Sequence, residues 1–117
     1  MIESYSFGRL VFKGKPYTRD LIILSDGMSL RIIDNWWRKE GHYLQVEDLK
    51  EVWEFKPEVL VIGTGASGLM RVAPDVLNKA EKLGIKVTSQ LTSEAVKTFN
   101  TYLNQGKRLA GAFHLTC

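Results

Sequence analysis

The sequence holds one cysteine, Cys117, in 117 residues, which excludes an internal disulfide and points to a reducing compartment, the cytoplasm. Histidine is almost as scarce. His42 and His114 are the only two, and with Cys117 they offer too few soft donors for a structural zinc site to be expected. No apolar run approaches the roughly 20 residues that a membrane helix needs. The opening Met1-Ile2-Glu3-Ser4-Tyr5-Ser6 has neither the basic start nor the apolar stretch of a secretory signal. No internal repeat, linker or low-complexity segment is present. Charge of one sign is nowhere concentrated. Residues 1–56 carry nine basic and nine acidic side chains, and residues 57–117 carry seven against four, so the second half supplies the whole net charge of +3. Its positives Lys79, Lys82, Lys86, Lys97, Lys107 and Arg108 are dispersed, unlike the basic stripe of a nucleic-acid binder. What is present, 44% hydrophobic and 25% charged residues in 13.3 kDa, is the balance and size of one soluble globular domain, residues 1–117.

Local pattern divides the chain into a β-rich first third and an alternating second half. Phe7–Phe12 and Leu21–Leu24 are rich in aromatic and branched aliphatic types, as strands are. Asp26-Gly27 suits a tight turn before the return strand Leu30–Ile33, so residues 5–33 read as an antiparallel meander. Residues 34–45 follow neither the strand nor the helix period. A helix is expected from about Val46 to Phe55, with Leu49, Val52 and Trp53 on one face and Pro57 ending it. Val59–Ile62 is apolar throughout, as in a central strand covered on both faces. Pro74 opens a helix whose stripe is Val76, Leu77, Ala80 and Leu83, and Gly84 stops it. Ile85–Thr88 is the next strand. Thr92 is the expected N-cap of a helix with Ala95, Val96, Phe99, Tyr102 and Leu103 on its inner face, and Leu109–Leu115 is the last strand. Strand–helix–strand–helix–strand implies a layered α/β core.

Three segments are candidates for function. Gly63-Thr64-Gly65-Ala66-Ser67-Gly68 follows a strand and fits G-x-G-x-x-G, whose backbone can approach a pyrophosphate. The nearest helix start, Pro74, is too far on to deliver its dipole, no acidic residue ends the next strand, and too little chain follows for a dinucleotide fold. No cofactor is therefore expected. The loop reads as a packing turn, or as a holder of a small anion on its N–H groups. The second segment, Trp36-Trp37-Arg38 with His42, brings aromatic, guanidinium and imidazole groups to one irregular stretch, where binding surfaces are common; equally, one tryptophan could plug the edge of the core while Arg38 and His42 are solvated. The third is the ending Phe113-His114-Leu115-Thr116-Cys117. On a strand, His114 shares a face with Ala112 and Thr116 while Cys117 shares the other with Phe113 and Leu115. That separates imidazole from thiol: His114 reads as a hydrogen-bonded edge residue, which a carboxylate partner could tune, and Cys117 as a small apolar plug.

Leu60-Val61-Ile62-Gly63-Thr64-Gly65, Leu83-Gly84-Ile85-Lys86-Val87, Ala95-Val96-Lys97-Thr98-Phe99-Asn100, Gly106-Lys107-Arg108 and Phe113-His114-Leu115-Thr116-Cys117 occur in that order. Together with Trp37-Arg38 and His42 they resemble a small single-domain family of unknown function. That family includes the adipogenesis-associated domain protein and the mitochondrial complex I assembly factor three, and the ending is similar to the adipogenesis branch. The resemblance implies a three-layer α/β domain. Its centre is a mixed five-stranded sheet with one antiparallel central strand, flanked by helices and an extra N-terminal antiparallel β layer. It implies no established catalysis and no cofactor.

Two functions stay open at this point. One is a non-enzymatic protein-interaction or assembly module with an unidentified protein partner. The other is a small enzyme or sensor that binds a small anionic metabolite where Gly63, Thr64 and Gly65 meet Arg38, His42 and His114. Self-association through Trp36 and Trp37 is open as well. No catalytic residue, metal, nucleic acid or membrane is assigned.

Overall fold

In the computed structural model, which describes residues 1–117, the apolar run at Val59 lies inside a five-stranded sheet. Strand β7 (Val59–Thr64) has β10 (Leu109–His114) on one side and β9 (Lys86–Gln90) on the other, both parallel to it. Beyond β10 come β4 (Leu21–Ser25) and the edge strand β5 (Leu30–Ile33), for the order β5-β4-β10-β7-β9. β4 is antiparallel to both neighbours, with Phe113 opposite Leu21. The sheet is therefore mixed, as the resemblance implies.

The strand period sorts the core into two halves. Ile22, Leu24, Leu60, Ile62, Ala110 and Ala112 face Trp36, the turn Val46–Leu49, helix α1 (Lys50–Phe55) and helix α2 (Pro74–Lys82). Leu21, Ile23, Val59, Val61, Leu109 and Phe113 face helix α3 (Thr92–Asn104) and the N-terminal sheet. That sheet is the antiparallel set β1 (Ile2–Ser6), β2 (Arg9–Phe12) and β3 (Lys15–Tyr17), which buries Ile2, Leu10, Phe12 and Tyr17. A short parallel pair, β6 (Tyr43–Leu44) with β8 (Arg71–Val72), ties the 34–45 segment to the chain after β7.

Four local expectations are corrected. The meander over residues 5–33 is split. β1–β3 form their own sheet, and β4 with β5 join the main one, because β10 takes the side of β4 that a neighbouring meander strand would have used. The Val46–Phe55 helix opens as a 3₁₀ turn, Val46–Leu49, before α1, with Leu49, Val52 and Trp53 buried as expected. In α2 only Val76 and Ala80 reach the core. Leu77 and Leu83 are 47% and 45% exposed: Leu77 lies about 100° round the axis from the Val76–Ala80 stripe, and Leu83 is the C-cap, past the last helical turn. Thr92 is not a cap. Leu91 holds the N-cap position, and the buried Thr92 hydroxyl is used between strands.

At Gly111 the closeness of α3 to β10 rests on a missing side chain. The rings of Phe99 and Phe113 meet edge to face, 5.5 Å apart, and a Cβ on Gly111 would stand 2.6–2.8 Å from both. Gly111→Val is expected to cost about 1–3 kcal/mol by overpacking, read as a lower urea midpoint. Leu77→Gln on the exposed flank of α2 should move stability by about 0.5 kcal/mol or less.

Candidate functional site

The antiparallel pairing of β4 with β10 decides where the first ionic contact forms. Since Leu21 faces Phe113, Asp20 comes to stand beside His114 at the carboxyl ends of β7 and β10. Asp20 Oδ1 accepts the Leu115 N–H at 2.8 Å, and Oδ2 lies 2.7 Å from His114 Nδ1. Arg38 reaches the same oxygen, with Nη1 2.8 Å from Oδ2, while its Nη2 is 3.1 Å from His114 Nδ1. One ring nitrogen cannot both donate to Asp20 and accept from Arg38. The shorter contact assigns the proton to Nδ1, donated to the carboxylate. The Arg38 and His114 side chains are only 5% and 6% exposed.

Arg38 is held on its other sides too. Nε donates to the Gly41 carbonyl at 2.9 Å, and the guanidinium lies 4.9 Å from the Trp36 ring centre. Trp36 is buried. Its backbone N–H donates to the Asp20 carbonyl at 2.8 Å and its Nε1 to the Asp48 carbonyl at 2.9 Å. The Asp48 carboxylate accepts the N–H groups of Lys39 and Gln45. These bonds give an irregular segment one defined path. Burial pushes the Asp20 carboxyl upward, but the hydrogen bonds from His114 and Leu115 and the Arg38 contact outweigh it, and Asp20 lies below the ordinary carboxylate range.

The glycine turn is bound to the chain itself. Gly65 N–H donates to Thr92 Oγ1 at 2.8 Å, and that hydroxyl donates to the His114 carbonyl at 2.6 Å. Ala66 N–H goes to the Thr116 carbonyl, Ser67 and Leu69 N–H to the Cys117 oxygen, and Met70 N–H to the Thr64 carbonyl. Thr64 Oγ1 donates to the Gln90 carbonyl. Gly65 has φ +108°, and a Cβ there would run into the Cys117 carbonyl and stand 2.8 Å from His114 Cδ2. Here glycine is required for a close approach of backbone to backbone. The four N–H donors at 65–67 and 69 are therefore occupied by oxygens of the fold.

The fold brings Arg38, His42, His114 and Gly65 together. The His42 ring meets the His114 ring edge on, 5.6 Å between centres, and His42 is exposed. Gly63 packs under Thr92 and Phe113. Of the two tryptophans, Trp36 is the one that plugs the core, leaving Trp37, 78% exposed, as the outward aromatic. One expectation changes: His114 is buried in an ion cluster rather than sitting at an edge. Trp37 and Arg38 border a cleft of about 440 Å³, together with Thr18, Arg19, Asn35 and Thr116. The residue missed by sequence reading is Asp20. A single carboxylate before a strand carries no local signal, and its imidazole partner is 94 residues away.

The model of the family described as "Protein of unknown function (DUF498/DUF598)" matches residues 2–114, and the chain belongs to that family. A Danio rerio protein named NADH dehydrogenase [ubiquinone] 1 alpha subcomplex assembly factor 3 is 42% identical over 79 residues, 65% of this chain. The matched region is 44% of that protein, so this chain corresponds to less than half of its length. Among solved structures, a conserved hypothetical protein from Pyrococcus horikoshii OT3 is similar over 100% of this chain and 99% of its own, with TM-score 0.81 and 27% identity. A Bordetella pertussis protein described as an Mth938-like domain has TM-score 0.73 and 16% identity, over 98% of this chain and 85% of its own. At that identity it is evidence for the fold alone.

Because the fold favours ionised Asp20, its contribution is complete above the ordinary carboxylate pKa of about 3.9 and is lost as pH falls through its lower folded value. Asp20→Asn leaves Arg38 buried without its counter-ion and is expected to cost about 3 kcal/mol at pH 7. In urea titrations the gap between Asp20→Asn and the parent should narrow below about pH 4. A gap independent of pH would refute the charge assignment.

Proposed function

We propose that this member of the DUF498/DUF598 family is a non-enzymatic protein-interaction or assembly module whose docking surface is centred on Trp37. The observation that carries the reading is Trp37 itself: a tryptophan 78% exposed at the rim of a cleft, on a segment fixed by the hydrogen bonds of Trp36 and Asp48. A rigidly presented aromatic beside a cavity is the usual anchor of a protein interface, because it removes a large apolar area from water at little entropic cost. The assembly-factor name of the Danio rerio relative supports the same direction.

The anionic-metabolite reading has less support. The glycine turn's N–H groups are bonded to Thr92, Thr116 and Cys117, and Arg38 is engaged by Asp20, His114 and Gly41. Little donor capacity is left to meet an anion. No helix is long and apolar enough to cross a membrane. The lone cysteine fits a cytoplasmic setting for such a module.

Affinity capture from native extract with parent and Trp37→Ala baits, followed by titration of the purified partner, tests the reading. The expected result is a specific partner that Trp37→Ala binds about tenfold or more weakly, as for an aromatic anchor, with its folding unchanged because the side chain is exposed. Recovery of no specific partner, or equal affinity of the two baits, overturns it.

A further inference from the structure

We propose that His42 and His114 together bind one divalent transition-metal ion of the imidazole-preferring kind, with Asp20 orienting His114. This goes beyond the docking role and does not rest on it. One ring nitrogen of the cluster has no partner. His114 Nδ1 donates to Asp20, so the lone pair of Nε2 is the ring's remaining polar function. Nε2 is buried without a hydrogen-bond partner. Buried polar atoms in folded proteins are nearly always paired, and an orphan points to an ion, a ligand or a catalytic role.

The surroundings favour an ion. An imidazole whose Nδ1–H is held by a carboxylate, leaving Nε2 free, is the arrangement that metal-bound histidines adopt, because the carboxylate fixes the tautomer and makes the ligand more basic. The guanidinium next to it does not forbid a cation, because Asp20 Oδ2, 2.8 Å from Arg38 Nη1, offsets that charge. A second imidazole is within reach. With metal–nitrogen distances of about 2.0–2.1 Å, two rings on one ion place their centres roughly 5–6 Å apart. The rings of His42 and His114 are 5.6 Å apart.

His42 is exposed, so its ring can turn to admit the ion to Nε2, while Asp20 and Thr92 hold β10 in place through the His114 ring and carbonyl. Cys117 is near the same edge, since a Cβ on Gly65 would touch both it and His114. No three His, Cys, Asp or Glu side chains converge, however. The protein supplies two nitrogens and water completes the coordination. Zn(II), Cu(II) and Ni(II) are the ions that imidazole suits.

Calorimetric titration of the full chain with ZnCl₂ at pH 7.5, paired with NMR of the two imidazole side chains, tests the site. One Zn(II) per chain is expected, shifting the resonances of both histidines. His42→Ala, a change at an exposed residue, should abolish the binding with the fold intact. Asp20→Asn keeps both nitrogens and should weaken binding roughly 10–100-fold, the usual effect of losing the group that orients a ligand. Cys117→Ser should leave it unchanged. Absence of Zn(II) binding, binding that survives His42→Ala, or binding that disappears with Cys117→Ser overturns the assignment.

Discussion

Asp20 stands where β4 begins, opposite the end of β10, and its two oxygens take the Leu115 N–H, the His114 imidazole and the Arg38 guanidinium. Three parts of the chain that share no sequence neighbourhood are joined by that one carboxylate. Removing it would strand a guanidinium whose side chain is 5% exposed, and an uncompensated buried charge costs far more than an intact pair contributes. The path of residues 34–42 depends on it, because Arg38 is that segment's link to β10 and Trp36 is bonded to the Asp20 backbone.

The apolar core explains why such a cluster can form at all. The small residues Ala110, Gly111 and Ala112 let β10 sit at the centre of the sheet with Phe99 and Phe113 packed over one face. Beyond Leu115, the last buried apolar residue, polar groups take over. The N–H groups of the glycine turn close on Thr116 and Cys117, and Thr92 bridges Gly65 to the His114 carbonyl. The turn that looks like a nucleotide cradle is thus a clasp for the segment after β10, with Gly65 the residue whose missing Cβ allows the contact.

Around this clasp the functional features are arranged at one end of the sheet. Trp37 projects from the segment that Arg38 and Asp48 hold, and the cleft beside it is lined in part by Asp20 and Thr116. The His42–His114 pair adjoins the same carboxylate. A docking surface and a metal site would therefore share one electrostatic support, and a change at Asp20 reaches both.

Elements whose cause is local can be read from the residues alone. The unbroken apolar run Val59–Ile62 is legible as a doubly covered strand, Pro74 and Gly84 as the ends of a helix, and Val96 and Phe99 as its successor's inner face, because side-chain period and backbone restriction act within a few residues. The resemblance supplied the mixed sheet and the extra β layer. Of the site, Arg38, His42, His114 and Gly65 were legible as types that could act together. What binds them follows from long-range contacts. The Asp20–His114 and Arg38–His114 contacts span 94 and 76 residues. Thr92 is a bridge rather than a cap because β10 delivers a carbonyl to it. Trp36 is buried and Trp37 exposed although they are neighbours of one type. Hydrogen bonds and ion pairs form between groups that the fold brings within about 3 Å, and that distance follows from the pairing of strands far apart in the chain.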